Sequence, residues 1–476
     1  MTGKGSAGAT EGLAEGGGDL AKVTMIAAAA AMGGFLFGYD SAVINGAVDA
    51  IQARFGVDSA TLGFTVASAL LGSAVGAAVT GSLADRYGRI RTMRIAGVLF
   101  AVSAVGMALP FAIWDLILWR VLSGIAIGMA SVIAPTYIAE IAPAAHRGRL
   151  GSLQQLAIVL GIAVSQLADY LIALAAGGSA SNMLGPLQAW QWMLGAELVP
   201  AAVYLLLTLV IPESPRHLVR VGLVDQAKEI LAKVEGGGPA RLDRRITEIR
   251  SALGSETRPR LSDLRGRLGL LPIVWIGMAL SAFQQLVGIN VIFYYSSSLW
   301  QSVGVPEGDS LLLSLFTSII NIVGTVVAIT LVDRVGRRPL LLVGSAGMAL
   351  ALAVAAYAFG HATAVGEEVT LSFGWGVVAL TAASAFVLFF ALSWGAVVWV
   401  LLGEMFPLRI RAAAMGVATA TQWIANWAVT VTFPSMRDWS LSGSYLVYTG
   451  FAVLSLLFVW RFVKETKGKT LEEMTG

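Results

Sequence analysis

Residues 81–89 read Gly81-Ser-Leu-Ala-Asp85-Arg-Tyr-Gly88-Arg89, and residues 331–338 read Leu331-Val-Asp333-Arg-Val-Gly336-Arg337-Arg338. The first stretch follows the second long apolar run of the chain, and the second follows the eighth. A further signal repeats in the same order. Glu140-Ile-Ala-Pro143 with Arg147 follows the fourth run, and Glu404-Met-Phe-Pro407 with Arg411 follows the tenth. The same charged punctuation at matching places in two sets of six spans marks a duplicated bundle. Carriers built from such repeats hold their substrate between the halves and expose it to each side in turn.

Composition points the same way. Of 476 residues, 57% are apolar and 13% charged, against roughly 25% charged in an average soluble chain. So much apolar surface cannot be hidden in water. Apolar runs fall at 22–45, 62–84, 92–112, 115–137, 150–173 and 190–211, then at 269–297, 310–332, 339–360, 373–401, 412–433 and 444–463. Each is near the length of about 20 residues that crosses a bilayer as a helix. The expected fold is all-α and integral to the membrane, with twelve transmembrane helices in two pseudo-symmetric six-helix bundles. The expected units are a disordered cytosolic tail over 1–21, an N-terminal bundle over 22–211, a cytosolic short-helix domain over 212–268, a C-terminal bundle over 269–463 and a cytosolic tail over 464–476.

Several functions are excluded at this level. The chain has no Cys and three dispersed His (His146, His217, His361), so thiol chemistry is absent and no metal cluster is expected. No nucleophile–base pair falls in the spans, so an enzyme is disfavoured, and no cofactor is implied. A net charge of +3 is too small to suggest nucleic acid. The expected partners are the lipid bilayer and a small molecule, and the expected state is a monomer.

Orientation follows from the cations. All but three of the 32 Lys and Arg gather on one side of the twelve spans, which the positive-inside tendency assigns to the cytosol with both termini. The exceptions are Arg54 and Arg437 in opposite loops and Arg120 within a span. In 212–268, two stretches near Asp225 and Leu242 carry apolar residues at helical spacing, so two or three amphipathic helices are expected there.

Polar residues within the spans carry the chemistry. Asp40 lies well inside the first span, where a carboxylate is costly and marks function. Its structural alternative is an ion pair with Arg120, which shares a face with Gly124 and Gly128. Phe37 lies one turn before Asp40, and Gly34, Gly38, Ala42 and Gly46 form a stripe for close helix packing. Glu197 is a third intramembrane charge, and Asp169 reads as solvated near the end of the fifth span. In the seventh span Gln284, Gln285 and Asn290 offer neutral donors and acceptors, which meet polyhydroxyl ligands without the cost of desolvating a charge. Gly288 among them favours a broken helix. Trp399, Trp423 and Phe293 lie away from the interfacial belts, where indole faces can stack on apolar C–H surfaces. Each of these amides and rings could equally serve helix packing.

The chain resembles the sugar porter family of the major facilitator superfamily. The signatures are Gly33-Gly-Phe-Leu-Phe-Gly-Tyr-Asp40, the two Asp-x-x-Gly-Arg loops, Pro135-Thr-Tyr-Ile-Ala-Glu140, Pro212-Glu-Ser-Pro-Arg216, Gln284-Gln285-x-x-Gly288-x-Asn290 and Glu465-Thr-Lys-Gly468. Two departures stand out: Gly395-Ala396 replaces the family's Gly-Pro, and Lys464 replaces the Pro before Glu465. The resemblance implies proton coupling at Asp40 with Arg120 as counter-charge and an acid matching Glu197. It implies sugar contacts at Phe37, Gln155, Ile162, Gln284, Gln285, Asn290, Phe293, Asn321, Trp399, Gln422 and Trp423. Separately, the repeated sets Asp85/Arg89, Glu140/Arg147, Asp333/Arg337 and Glu404/Arg411 at the cytosolic span ends argue for ion-pair locks on the inner gate, with a purely topological role for the arginines as the alternative. The apolar Ile162 and Phe293 favour glucose over a pentose, as in glucose carriers of the family. The expected function is proton-coupled sugar symport in the cell membrane. A facilitative uniporter, a symporter for xylose, galactose or inositol, and a non-transporting sugar receptor stay open at this point.

Overall fold

The computed structural model describes residues 20–143, 146–236, 238–254, 261–266, 269–365, 368–407 and 410–467. The tail expected over 1–21 and the last residues of 464–476 therefore lie almost wholly outside the described residues. The first five spans are single helices: α1 (Leu20–Phe55), α2 (Ser59–Tyr87), α3 (Arg89–Ala108), α4 (Ile113–Ile141) and α5 (Arg147–Ala175). The sixth is α6 (Ala189–Gly195) with α7 (Leu198–Val210), and Glu197 sits in the break between them. After it come α8 (Pro215–Arg220), α9 (Val224–Val234) and α10 (Pro239–Gly254), in the segment where short amphipathic helices were expected.

The seventh span is α11 (Pro272–Leu286) followed by α12 (Ile289–Gln301). Gly288 interrupts it in a left-handed conformation at φ 86°, which costs glycine least, so the expected break falls where the sequence puts it. Next come α13 (Glu307–Val335), α14 (Arg337–Phe359), α15 (Phe373–Phe390), α16 (Ala396–Met405), α17 (Arg411–Trp439) and α18 (Leu441–Phe462). A π-helical turn at Ala391–Gly395 joins α15 to α16, so this span departs from regular helix where the family's proline is missing.

Among the described residues, eleven spans are long and apolar enough to cross a membrane. The twelfth, α17, has the length but is made more polar by Thr419, Thr421, Gln422, Asn426 and Thr430. Two short hairpins, Met183–Leu184 with Leu187–Gln188 and Thr363–Val365 with Glu368–Thr370, close loops on the face opposite the termini.

Small residues set the packing. A Cβ at Gly38 of α1 would lie 2.0 Å from the Ile158 carbonyl oxygen of α5, and one at Gly161 of α5 would lie 2.0 Å from that of Phe35. α2 and α4 touch in the same way through Gly72 and Gly124. Without a hydrophobic drive between helices in lipid, such backbone contact supplies the association. The stripe read in the first span thus seats α1 on α5. The halves meet where α2 runs along α17, α5 along α13, and α1 against α12.

Candidate functional site

The α1–α5 seam carries Asp40 into the interior, fully buried. Arg120 of α4 donates from Nη1 to Asp40 Oδ1 at 2.8 Å and to the Asp40 carbonyl at 3.4 Å, while Nη2 reaches the Val66 carbonyl at 3.3 Å. Asp40 Oδ2 and both oxygens of buried Glu197 receive no hydrogen bond, yet the two carboxyl groups lie within hydrogen-bonding reach of each other. Arg120 thus pairs with Asp40, and the buried Glu197 carboxyl lies beside that pair without an ion-pair partner of its own. A second negative charge there is costly, because it has no cation of its own to offset its desolvation. Guanidinium stays protonated, so the two carboxyls are the titratable members of the group.

Beside this cluster the Gly288 break turns a chain of amides inward. Gln284 donates to the Trp394 carbonyl at 2.8 Å, Gln285 donates to Gln284 Oε1 at 3.4 Å, and Asn290 donates to Gln285 Oε1. From the two halves, the Phe37 and Trp423 rings approach with centroids 6.0 Å apart, tilted by 43°. The Trp423 indole N–H and the Gln422 amide oxygen have no protein partner. Ile162 packs against the core that contains Phe293. Gln155 is half-buried on α5 and Asn321 buried on α13, and Trp399 of α16 is 37% exposed. The structure therefore joins Asp40, Arg120 and Glu197 into one group, the three span-7 amides into a second, and Phe37 with Trp423 into a third.

Other residues at the site escaped sequence reasoning. The Tyr294 hydroxyl reaches Ser41 of α1 and Asn426 of α17, and Tyr294 is near enough to Asp40 and Arg120 to feel their charge. Tyr294 thus links α1 near the carboxyl cluster to Asn426 of α17. Gln154, one residue before the position singled out, presents a buried amide with no partner against Gly34. Asp169 is a correction: it was expected in solvent, but its side chain is fully buried. It faces into the α1–α5 seam against Gly46, where hydropathy along the chain gives no sign of direction.

On the face opposite the termini, hydrogen bonds join the halves. Asn45 of α1 donates to Gln166 at 2.9 Å and to Ser314 of α13 at 3.3 Å, and accepts the Ser297 backbone N–H at 2.9 Å. Asp49 accepts from the Ser298 hydroxyl at 2.7 Å and from Gln301 at 3.0 Å, and Arg437 also meets Ser298. The Ala180 N–H donates to Glu307 at 2.7 Å. This face is closed.

On the basic face the gate residues pair within each half. Arg89 forks onto Glu140 at 2.8 and 2.7 Å, and Arg337 forks onto Glu404 at 3.0 and 2.7 Å. Asp85 meets Arg89 at 3.6 Å and also meets Arg220. Arg411 donates to the Phe406 carbonyl at 3.1 Å and makes no bond to Glu404. The expected Glu404/Arg411 pair is thus replaced by Glu404/Arg337, because the start of α14 abuts the end of α16. The side chains of Arg147 and Asp333 lie outside the described residues.

A second acid completes each set. Glu213 accepts the backbone N–H groups of Arg89 and Ile90 at 2.9 and 3.2 Å, and Glu465 accepts those of Arg337 and Arg338 at 3.0 and 2.9 Å. Ser214 and Thr466 then donate to Glu140 and Glu404 at 2.5 and 2.6 Å. Gly88 and Gly336 make room for these carboxylates at φ 94° and 104°. Burial works to raise the Glu465 carboxyl, but four backbone N–H donors hold it below its ordinary range. The departure at Lys464 leaves this cap intact.

Comparison with known proteins matches this geometry to one family. The profile of the "Sugar (and other) transporter" family matches residues 26–476. The "Glucose transport protein" of Synechocystis sp. is 55% identical over 455 residues, covering 95% of this chain and 97% of the relative. The D-xylose-proton symporter of Escherichia coli is 38% identical, covering 94% and 93%. The inward-open structure of the xylose transporter XylE from E. coli superposes with a TM-score of 0.81 at 36% identity, covering 95% of this chain and 99% of that one. With twelve spans in two related halves, the same charged loops written twice and these matches over nearly the whole length, the chain belongs to the sugar transporter family of the major facilitator superfamily.

Proposed function

We propose that the protein is a proton-coupled sugar symporter, with D-glucose its first candidate substrate, working by alternating access. The observation that carries this reading is the buried Asp40–Arg120 ion pair with the unpartnered carboxyl of Glu197 beside it. A uniporter needs no such group, whereas a symporter must bind and release a proton once per cycle. Protonating Asp40 weakens its hold on Arg120 and permits α1 to move relative to α4; losing that proton to the inside resets the carrier. A membrane potential of about 100 mV supplies roughly 2.3 kcal/mol per proton, and each pH unit about 1.4 kcal/mol.

The amides of α11 and α12 and the Phe37–Trp423 platform take the sugar, with hydroxyls on Gln284, Gln285 and Asn290 and the apolar ring face on indole. Gln155, Asn321, Gln422 and Trp399 complete the pocket, and Ile162 with Phe293 keeps part of its wall apolar, which suits a hexose. Similarity to a glucose transport protein and to a xylose–proton symporter supports the substrate class and the coupling. The basic face is cytosolic with both termini, and the segment 212–268 spans the halves from inside. The paired acids and arginines there keep each bundle rigid while the bundles rock.

The test is uptake of radiolabelled D-glucose by proteoliposomes with and without an imposed pH gradient. Accumulation above the external concentration only with the gradient supports symport. Equilibration at the same level in both cases means uniport.

A further inference from the structure

Asp169 is a fully buried carboxyl that the coupling cluster does not use. Neither of its oxygens receives a hydrogen bond. It sits where α1 has no side chain: a Cβ at Gly46 would lie 2.7 Å from Asp169 Cγ and from Oδ2. The Gly46 amide faces it but is already bonded within α1. Tyr39 of α1 is the titratable group facing it, and Tyr39 also feels Glu197 of the sixth span. From α12 and α13 the groups around this seam are the Phe293 carbonyl, the Ser297 amide and the Ser314 hydroxyl, all neutral. Among the described residues no cation bears on Asp169.

An ionised carboxylate whose one facing N–H, that of Gly46, is already bonded within its helix, and which has no counter-charge, is poorly sustained in such a seam. The closed external face is therefore compatible with Asp169 only in its protonated form. The residues that close that face are its neighbours. Gln166, one turn before it, donates to the Phe293 carbonyl at 3.3 Å, and Asn45, beside Gly46, holds Ser314 and Ser297. Opening that face breaks these bonds, withdraws α12 and α13, and lets water reach the seam, where the carboxylate can ionise.

We propose that Asp169 is a second proton-binding site, loaded from the external side, whose protonation is required for the external face to close. This rests on the proton-coupled reading but differs from it in one respect. The Asp169 proton comes from external water, stays in the closed seam while the cytosolic face is open, and returns to external water on reopening. It gates the cycle and is not carried across. Asp169→Asn should therefore leave uphill accumulation intact and abolish the external-pH dependence of the outer gate.

The chain's lack of Cys makes the test direct. A thiol at Ser318→Cys of α13, buried one turn from Ser314, is labelled by an impermeant maleimide only when the external face opens. Its labelling is normalised to an exposed thiol at Ser181→Cys on the same face, which cancels thiol ionisation. In the native background the normalised rate should rise from about pH 5 to about pH 8, by up to about tenfold per unit. The rise should persist with Asp40→Asn and be flat and low with Asp169→Asn. Sugar binding checks that Asp169→Asn is folded, and Asp169→Ser replaces it if it is not. A rise that survives loss of the Asp169 carboxyl, or no rise in the native background, overturns the inference. Failure of the symport reading would show separately, as native protein that cannot concentrate sugar on a pH gradient.

Discussion

The rings of Phe37 and Trp423 meet across the interface of the two halves, 6.0 Å between centroids, with the indole N–H unpaired. One ring rides on α1 with Asp40, the proposed proton-binding carboxyl, and the other on α17, so a sugar bound between them, as proposed, would touch both halves.

Trp423→Ala should weaken sugar binding by about twofold to twelvefold, the range expected for losing about 0.5–1.5 kcal/mol of aromatic contact. The melting temperature should fall as well, because the ring is buried within a hydrophobic cluster and its removal costs packing. Equilibrium binding of labelled sugar in detergent measures this, and unchanged affinity would displace the pocket from this position.

Glu140 and Glu404 behave differently. Each holds an arginine fork at the end of a span, with Arg89 4% exposed and Arg337 8% exposed. Removing one partner strands a buried charge at a cost of about 3–5 kcal/mol. Glu404→Ala should lower thermal stability markedly, and the loss on adding Arg337→Met should be less than additive. A double-mutant cycle by thermal melting checks the coupling; additive losses would mean that the pair does not act as a unit.

His217 makes stability on the basic face depend on pH. Burial first, and then the neighbouring Arg89 and Arg220, hold its imidazole below the ordinary value against the pull of Glu213 and Glu140. The folded protein therefore keeps His217 neutral where an unfolded chain already binds a proton, from about pH 6.5 downward. Its contribution is fully present above that pH and is lost as pH falls toward the lower folded value. Melting temperature should drop through this window in the native protein and drop less in His217→Gln. An identical profile in the variant would assign the loss to other groups.

Much of the architecture was legible because hydropathy and repeated motifs report length and order directly. Twelve spans, the broken seventh span at Gly288 and the Asp40–Arg120 pair could be read from the chain. What stayed hidden depends on direction around a helix and on which helix ends abut. Asp169 differs from a solvated residue only in facing Gly46. Glu404 stands seven residues from Arg411 in sequence but meets Arg337 in space, because α14 starts where α16 ends. Asp49 and Arg437 are far apart in the chain but both meet Ser298 in space. Sequence spacing carries none of these.

Orientation has its own check in the absence of native Cys. A thiol at Ser302 or Ser440 should react with impermeant maleimide added outside whole cells, and one at Ala240 should react only after the cells are opened. The reverse pattern would turn the carrier over in the membrane.

The central claim is that the Asp40 carboxyl couples sugar movement to the proton gradient. Asp40→Asn fixes this group in a neutral form that can bind no proton and release none. Reconstituted into proteoliposomes with only a pH gradient imposed, the variant should fail to concentrate labelled D-glucose, yet retain sugar binding and sugar-for-sugar exchange, which need no deprotonation. Accumulation by Asp40→Asn above the external concentration under that gradient would contradict the account.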